Sequence, residues 1–213
     1  MRHSHGLRAA AAGELELGDY YQGGYFAGYI SHTADGNATH GLIVAPAASG
    51  YNNKTVVFWK TTASDSPGTD STYDGAVNTA NMATIDHPAA YYCANLSING
   101  YTVWYLPALY ELEIAYYNFK PGTVTNNTSY GVNSYAVPQR LSNYTSGDPA
   151  QTSIAAFQQT AGSEAFVENN HWSSTSIYSV STASAINLNN GVSIDNYSKP
   201  NSFYVRAFRK FAL

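Results

Sequence analysis

Residues 107–122 constrain this chain more than any other stretch. Pro107 suits a first helical turn, and Leu109, Leu112, Tyr116 and Phe119 follow at spacings of three, four and three, which puts one apolar stripe on one helix face. Glu111 and Asn118 are expected to face elsewhere. Pro121-Gly122 ends the helix, because a proline disfavours helical backbone at the residue before it, here Lys120. Around this helix the chain reads as short strand-like runs bounded by turn residues: 25–30, 41–45, 55–59, 177–180, 184–188 and 203–208. The last two, separated by Asn189-Asn190-Gly191 and a polar stretch, read as an antiparallel return. A second helix is expected from Asp74, whose carboxylate can cap the free N–H groups of Gly75-Ala76-Val77, and a third, shorter one within Thr152–Gln159. Two or three helices set among many short antiparallel strands make an α+β domain.

Residues 1–18 hold no aromatic residue and are alanine-rich, and at Asp19 the composition turns to tyrosine, glycine and β-branched residues. The expected organisation is an N-terminal arm or attachment segment over 1–18 and one domain over 19–213. A chain of this length hides about 70% of its unfolded surface, enough for a sizeable core without staples. Its surface is unusual, however: charged residues make up 11%, serine, threonine and asparagine together outnumber them more than two to one, and tyrosine alone supplies 19 residues. A disordered chain carries far fewer aromatics and more charge. A net charge of −4 offers no footprint for nucleic acid. No run of about 18 apolar residues spans a membrane as a helix. The single cysteine, Cys93, excludes an intrachain disulfide and a cysteine-cluster metal site, and reads as a small buried hydrophobe. The N-terminal four-alanine run followed by Glu14, Glu16 and Asp19 does not make a secretory signal, so the chain is expected to be made in a cytoplasm and released by lysis or inside an assembled particle.

Catalytic patterns are missing. There is no Gly-x-Ser-x-Gly elbow, and His32, His40, His87 and His171 are dispersed along the chain, each expected to play a structural role. Glu111 and Glu113 stand two apart on a helix and point to different faces, unlike a paired acid and base. Asp65, Asp70 and Asp74 lack the two-residue spacing and closing glutamate of a calcium loop and read as a solvated turn leading into a helix cap. No catalytic residue, metal ligand or cofactor site is therefore assigned. Arg206, Arg209 and Lys210 alternate with Val205, Phe208 and Phe211, as in a closing strand with outward charges. The stretch from Gly122 to Glu164 holds about 30 residues of loop, a length that in compact domains usually carries function. Its tyrosines lie among small polar residues, a composition suited to recognition, since tyrosine gives rigid amphipathic contact area while serine, glycine and asparagine adapt their hydrogen bonds. The candidate ligand-binding residues are Tyr130, Asn133, Tyr135, Asn143 and Tyr144.

Three segments carry a resemblance. Gly100-Tyr101-Thr102-Val103-Trp104-Tyr105-Leu106-Pro107-Ala108-Leu109-Tyr110-Glu111-Leu112 is similar to the Gly-x-x-Asp-Trp-Arg-Leu-Pro-x-x-x-Glu-Leu signature of the legionella-collagen-like C-terminal domain family. His171-Trp172-Ser173-Ser174-Thr175 resembles its Tyr-Trp-Ser-Ser-Thr strand, and Tyr204-Val205-Arg206-Ala207-Phe208-Arg209 its closing Val-Arg-x-Val-Arg strand. Residues 23–30 and 75–80 fit its opening strand and first helix. The resemblance covers roughly residues 20–213 and implies a C-type-lectin-like fold with Trp104 and Trp172 as core aromatics. Val103, Tyr105 and His171 stand where the family has Asp, Arg and Tyr, which puts in question an ion pair near the helix start. Formylglycine-type oxidation, found on the same fold, needs a cysteine pair, and Cys93 is alone.

The full-length pattern, a short arm leading into residues 18–30 and an ending of Arg206-Ala207-Phe208-Arg209-Lys210-Phe211-Ala212-Leu213, resembles phage-encoded members of the family, which are similar to virion components. The resemblance implies a non-enzymatic tail fibre, tail tip or capsid fibre, located in the virion, that recognises host surface glycan or protein. The arm would attach to other virion proteins, and a homotrimer would multiply weak single-site binding. Neither nucleic-acid binding nor membrane insertion is expected. The alternative is a structural virion protein, a capsid decoration or tail connector, using the same fold for packing.

Overall fold

The computed structural model describes residues 15–160 and 162–213. In chain order its strands are β1 (Tyr20–Tyr21), β2 (Gly24–Ile30), β3 (His40–Val44), β4 (Val56–Phe58), β5 (Ala136–Val137), β6 (Asn170–Trp172), β7 (Thr182–Asn187), β8 (Ser193–Ser198), β9 (Ser202–Tyr204) and β10 (Phe208–Ala212). The helices are α1 (Ala47–Gly50), α2 (Gly75–Met82), α3 (Pro88–Ala94) and α4 (Leu109–Phe119). The strands form two five-stranded sheets: β1-β2-β3-β10 with β5 added beside β2, and β4-β9-β6-β7-β8. Pairing is antiparallel except between β6 and β9, where His171 sits opposite Tyr204. This is an α+β architecture with few helices. Among the described residues no helix is long and apolar enough to cross a membrane.

Helix α4 is the centrepiece. It packs against β2 and β7, one strand from each sheet, and its stripe of Leu112, Tyr116 and Phe119 is buried in the same core as Leu42, Val44, Ile186 and Phe208. Close approach to β2 depends on Gly28, which sits at a bulge with φ of 126°, and whose absent Cβ would lie 2.8 Å from Asn118 Nδ2. Asn118 donates to Ala27 O at 2.7 Å, so this residue, expected to face away from the core, ties helix to sheet. A second core cluster contains Trp59, Cys93, Trp104 and Trp172, all buried, as expected for the two signature tryptophans and the lone thiol.

The closing segment departs from the sequence reading. Residues 203–208 do not form one strand. β9 and β10 belong to different sheets, and Val205–Ala207 cross between them, with Ala207 bonded to Gly50 O and Ala45 N. Arg206 lies in this crossing and is fully buried rather than outward. Its Nε donates to Ala45 O (2.8 Å), and Nη1 and Nη2 donate to Glu164 O (2.5 Å) and Oε2 (2.8 Å). The antiparallel return of β7 is made by β8, a polar strand that its composition concealed, while 177–180 is loop. Within Thr152–Gln159 only a 3-10 turn, Ala155–Phe157, forms, and α3, opened by Pro88, is an additional helix. Asp74 does cap α2, accepting from Val77 N at 3.2 Å. At the N-terminal end Leu15 is buried in the second cluster and Gly18 N bonds Phe26 O, so residues 15–18 belong to the folded body rather than to an arm. Residues 1–14 of the expected arm lie outside the described residues.

Candidate functional site: a tyrosine surface over helix α4

A helix turns 100° per residue, so residues three and four apart share a face. Besides its core stripe, α4 carries a second stripe of Tyr110, Glu113 and Tyr117, and the loop from Tyr130 to Tyr144 lies across it. Glu113 latches that loop. Its carboxylate accepts from Asn133 Nδ2 (2.6 Å) and from the Tyr144 hydroxyl, and it pairs with Arg140. Asn133 also donates to Tyr110 O (3.1 Å) and accepts from the backbone N–H groups of Tyr135 (3.0 Å) and Ala136 (3.1 Å). Burial and then the Glu113 charge push the Tyr144 hydroxyl well above its usual pKa, so it stays a donor. Two of the five sequence candidates, Asn133 and Tyr144, are thus buried supports whose polar atoms are already engaged.

The other three stand at the surface. Tyr135 is half-buried and stacks between Tyr73 (4.5 Å between centroids, 11° between planes) and Tyr110 (5.3 Å, 25°). This three-ring platform brings together α2's leading segment, the start of α4 and the loop. Tyr130 lines a recess of about 310 Å³ with Tyr178, Ser193, Ile194, Asp195 and Asn196. Tyr178 is 72% exposed. Asp195 Oδ1 is buried and has no hydrogen-bond partner among the described residues. Burial, then Tyr135 and the Asp195 charge, raise the Tyr110 pKa. Asn143 is exposed on a smaller recess of about 170 Å³ whose lining also includes Tyr117, Arg140, Asp148 and the edge of the otherwise buried Tyr144.

Beyond Tyr73 lies a polar corner. His32 stacks at 4.3 Å on His40, and Asp74 reaches His32 Nδ1 (3.6 Å) and Lys210 Nζ (2.6 Å). Burial, then Lys210 and His40, lower the His32 pKa to about 4, and burial with Lys210 lowers His40. Both imidazoles are neutral at pH 7, so the corner carries one matched ion pair.

Another contact joins residues that looked unrelated in sequence. Ser66 Oγ lies 2.9 Å from His87 Nε2 and 3.3 Å from Lys199 Nζ, and Thr84 Oγ1 lies 3.0 Å from His87 Nδ1. Ser66, His87 and Lys199 are buried, and Lys199 also donates to Ser64 O and Val180 O. The arrangement pins the 60–69 loop to the turn before β9. Among the described residues no group of three or more His, Cys, Asp or Glu side chains is placed to hold a metal ion.

Sequence reasoning missed Tyr73, Tyr110, Tyr178, Asp195 and Asn196. Tyr110 was legible, standing three residues before Glu113 on a helix. Tyr73 reaches the site because the segment before α2 packs on the loop at Tyr135, and Tyr178, Asp195 and Asn196 because β8 and the loop before β7 come together at the recess. No protein-family model matches the chain, and a search of curated proteins finds no match.

Proposed function

We propose that this chain is a non-enzymatic bacteriophage virion protein of C-type-lectin-like fold, a tail fibre, tail tip or capsid fibre, that recognises the host surface through glycan. The observation that carries the reading is the recess lined by Tyr130 and Tyr178 together with a carboxylate, an amide and a hydroxyl, beside which the surface also offers the stacked Tyr73, Tyr135 and Tyr110 rings elsewhere on the same loop and helix. Aromatic rings with polar tips suit sugars, whose rings have an apolar C–H face and a rim of hydroxyls. The lectin-like assignment draws on the signature segments. Trp104 and Trp172 are core aromatics, and Glu111 accepts from Ala108 N (2.8 Å), Gly75 N (3.0 Å) and the Tyr105 hydroxyl (2.8 Å). Tyr105 thereby donates where the family's arginine would. Shallow sites of this kind bind weakly one at a time, so a homotrimer anchored through the N-terminal arm would supply avidity.

A structural role as capsid decoration or connector draws on a different feature. Strand β4 is a sheet edge whose Val56 and Phe58 are exposed, a surface suited to packing against a neighbour. Immunogold labelling of native particles separates the two: label at a tail end or fibre tip supports recognition, and label spread over a capsid supports packing. For the recognition reading, Tyr130→Ala combined with Tyr178→Ala should lower host-cell adsorption at least tenfold. Unchanged adsorption sinks it.

A further inference from the structure

We infer that the Tyr130–Tyr178 recess selects sugars that bring O–H or N–H donors and no negative charge, with Asp195 as the selecting residue. The inference rests on the glycan reading and names the class of sugar. Among the six residues lining the recess Asp195 is the charged one, and no lysine or arginine faces it there. Its carboxylate makes no hydrogen bond or ion pair with any described residue, and Oδ1 is withdrawn from solvent. Every other carboxylate in contact with the tyrosine surface is committed: Glu113 to Asn133, Tyr144 and Arg140, Asp148 to the Tyr117 hydroxyl, and Asp74 to Lys210 and the α2 N-terminus.

A carboxylate that no described residue pairs is available to a donor on a ligand lying in the recess it lines, and such a bond offsets the cost of an unmade one. Asp195 stands on β8 where the register with β7 shifts, between the Ala185–Ile194 and Ala183–Tyr197 pairs, an irregularity of the kind that re-aims a side chain. Tyr130 and Tyr178 line the recess with aromatic rings, while Ser193 and Asn196 add neutral hydrogen-bonding groups. The volume, about 310 Å³, lies at the lower end of the range of roughly 300–1,000 Å³ for small-ligand pockets, which suits one or two sugar rings. A uronic or sialic acid placed here would set its carboxylate against Asp195 with no cation lining the recess to separate them. A like charge at such range disfavours binding, the more so where water is excluded.

The test is titration of the full chain by saturation-transfer NMR with methyl glucoside, methyl galactoside and methyl N-acetylglucosaminide, against methyl glucuronide and methyl galacturonide. At least one neutral glycoside is expected to bind 10- to 100-fold tighter than the uronide of the same ring, the span of one hydrogen bond to a charged group. Asp195→Asn, a near-isosteric change at a half-exposed position, should melt like the parent, weaken the neutral glycoside about tenfold and narrow the gap to the uronide. Equal or tighter binding of the uronide overturns the charge selection while leaving glycan recognition standing. Selectivity unchanged in Asp195→Asn overturns the role of Asp195. Binding of none of the five overturns both the selection and the recess as a sugar site.

Discussion

Replacing Glu113 by alanine should loosen the loop that carries the candidate site. The Glu113 and Arg140 side chains are only 8% and 14% exposed, so the pair is largely sheltered from solvent. Removing the carboxylate strands the guanidinium, which remains held over the Tyr117 ring at 4.3 Å, and removes an acceptor from Asn133 and Tyr144. Breaking a buried pair by deleting one partner costs about 3–5 kcal/mol. Asn133 keeps its bond to Tyr110 O, which places the expected loss near the lower end, about 3 kcal/mol. Glu113→Gln separates charge from shape. Its amide oxygen can serve Asn133 and Arg140, and its NH2 can face a Tyr144 hydroxyl turned to accept, so the loss reduces to the charge assistance, about 1–2 kcal/mol. Urea denaturation monitored by tyrosine and tryptophan fluorescence measures both. The latch is refuted if Glu113→Ala costs under 1 kcal/mol, or if the glutamine variant is as damaged as the alanine one. A double-mutant cycle with Arg140→Met should return a coupling of about 1–3 kcal/mol.

Acid lability should come from buried histidines. His171 donates from Nδ1 to Asn169 O (3.0 Å), which leaves Nε2 to accept from the Tyr51 hydroxyl, and burial lowers its pKa to about 3. A histidine depressed in the folded state gives its full stability above its unfolded pKa near 6.5 and loses it as pH falls toward 3, for His171 by as much as about 4 kcal/mol. His32 and His87, both lowered to about 4 chiefly by burial, act in the same direction; an unfolding midpoint that stays flat from pH 6.5 to pH 4 would contradict this. Glu111 acts oppositely. Burial raises its pKa to about 7, so its contribution is complete below the unfolded carboxylate pKa near 4.5 and declines as pH rises through 7. Glu111→Gln should therefore gain stability relative to the parent between pH 5 and pH 8, and a pH-independent difference in chemical denaturation would count against the assignment. Glu164→Ala should cost about 3–5 kcal/mol by stranding the fully buried Arg206 charge, whereas replacing both partners with apolar residues should recover much of it. If thermal melts of the double variant fall as far as those of Glu164→Ala alone, the unpaired charge is not the cause.

Several elements were legible because their signals are local. The 109–119 helix follows from a 3.6-residue period between two prolines, the α2 cap from Asp74 ahead of Gly75, and strands β2 and β3 from short apolar runs bounded by turns. β8 was not legible: Ser193-Ile194-Asp195-Asn196-Tyr197-Ser198 is polar enough to pass for loop, and it is a strand because β7 offers it a hydrogen-bonding edge. Arg206 looked like an outward charge on a strand until the chain was seen to change sheets there, which turned that residue toward Glu164. The loop from Gly122 to Glu164 was recognisable from composition as the place to look, and Tyr130, Tyr135 and Asn143 do stand on its surface. Which of its residues would face inward was not written in it, since Asn133 and Tyr144 are drawn down by Glu113, a carboxylate from another element. By itself the sequence determined the α+β class, the helix and its ends, the lack of a cysteine pair, and a surface built from hydroxyls, amides and tyrosine rings. Only the tertiary structure decided which rings stack, which carboxylate is left without a donor and where the recess opens. Those depend on contacts between residues far apart in the chain, and periodicity and local propensity carry no record of them.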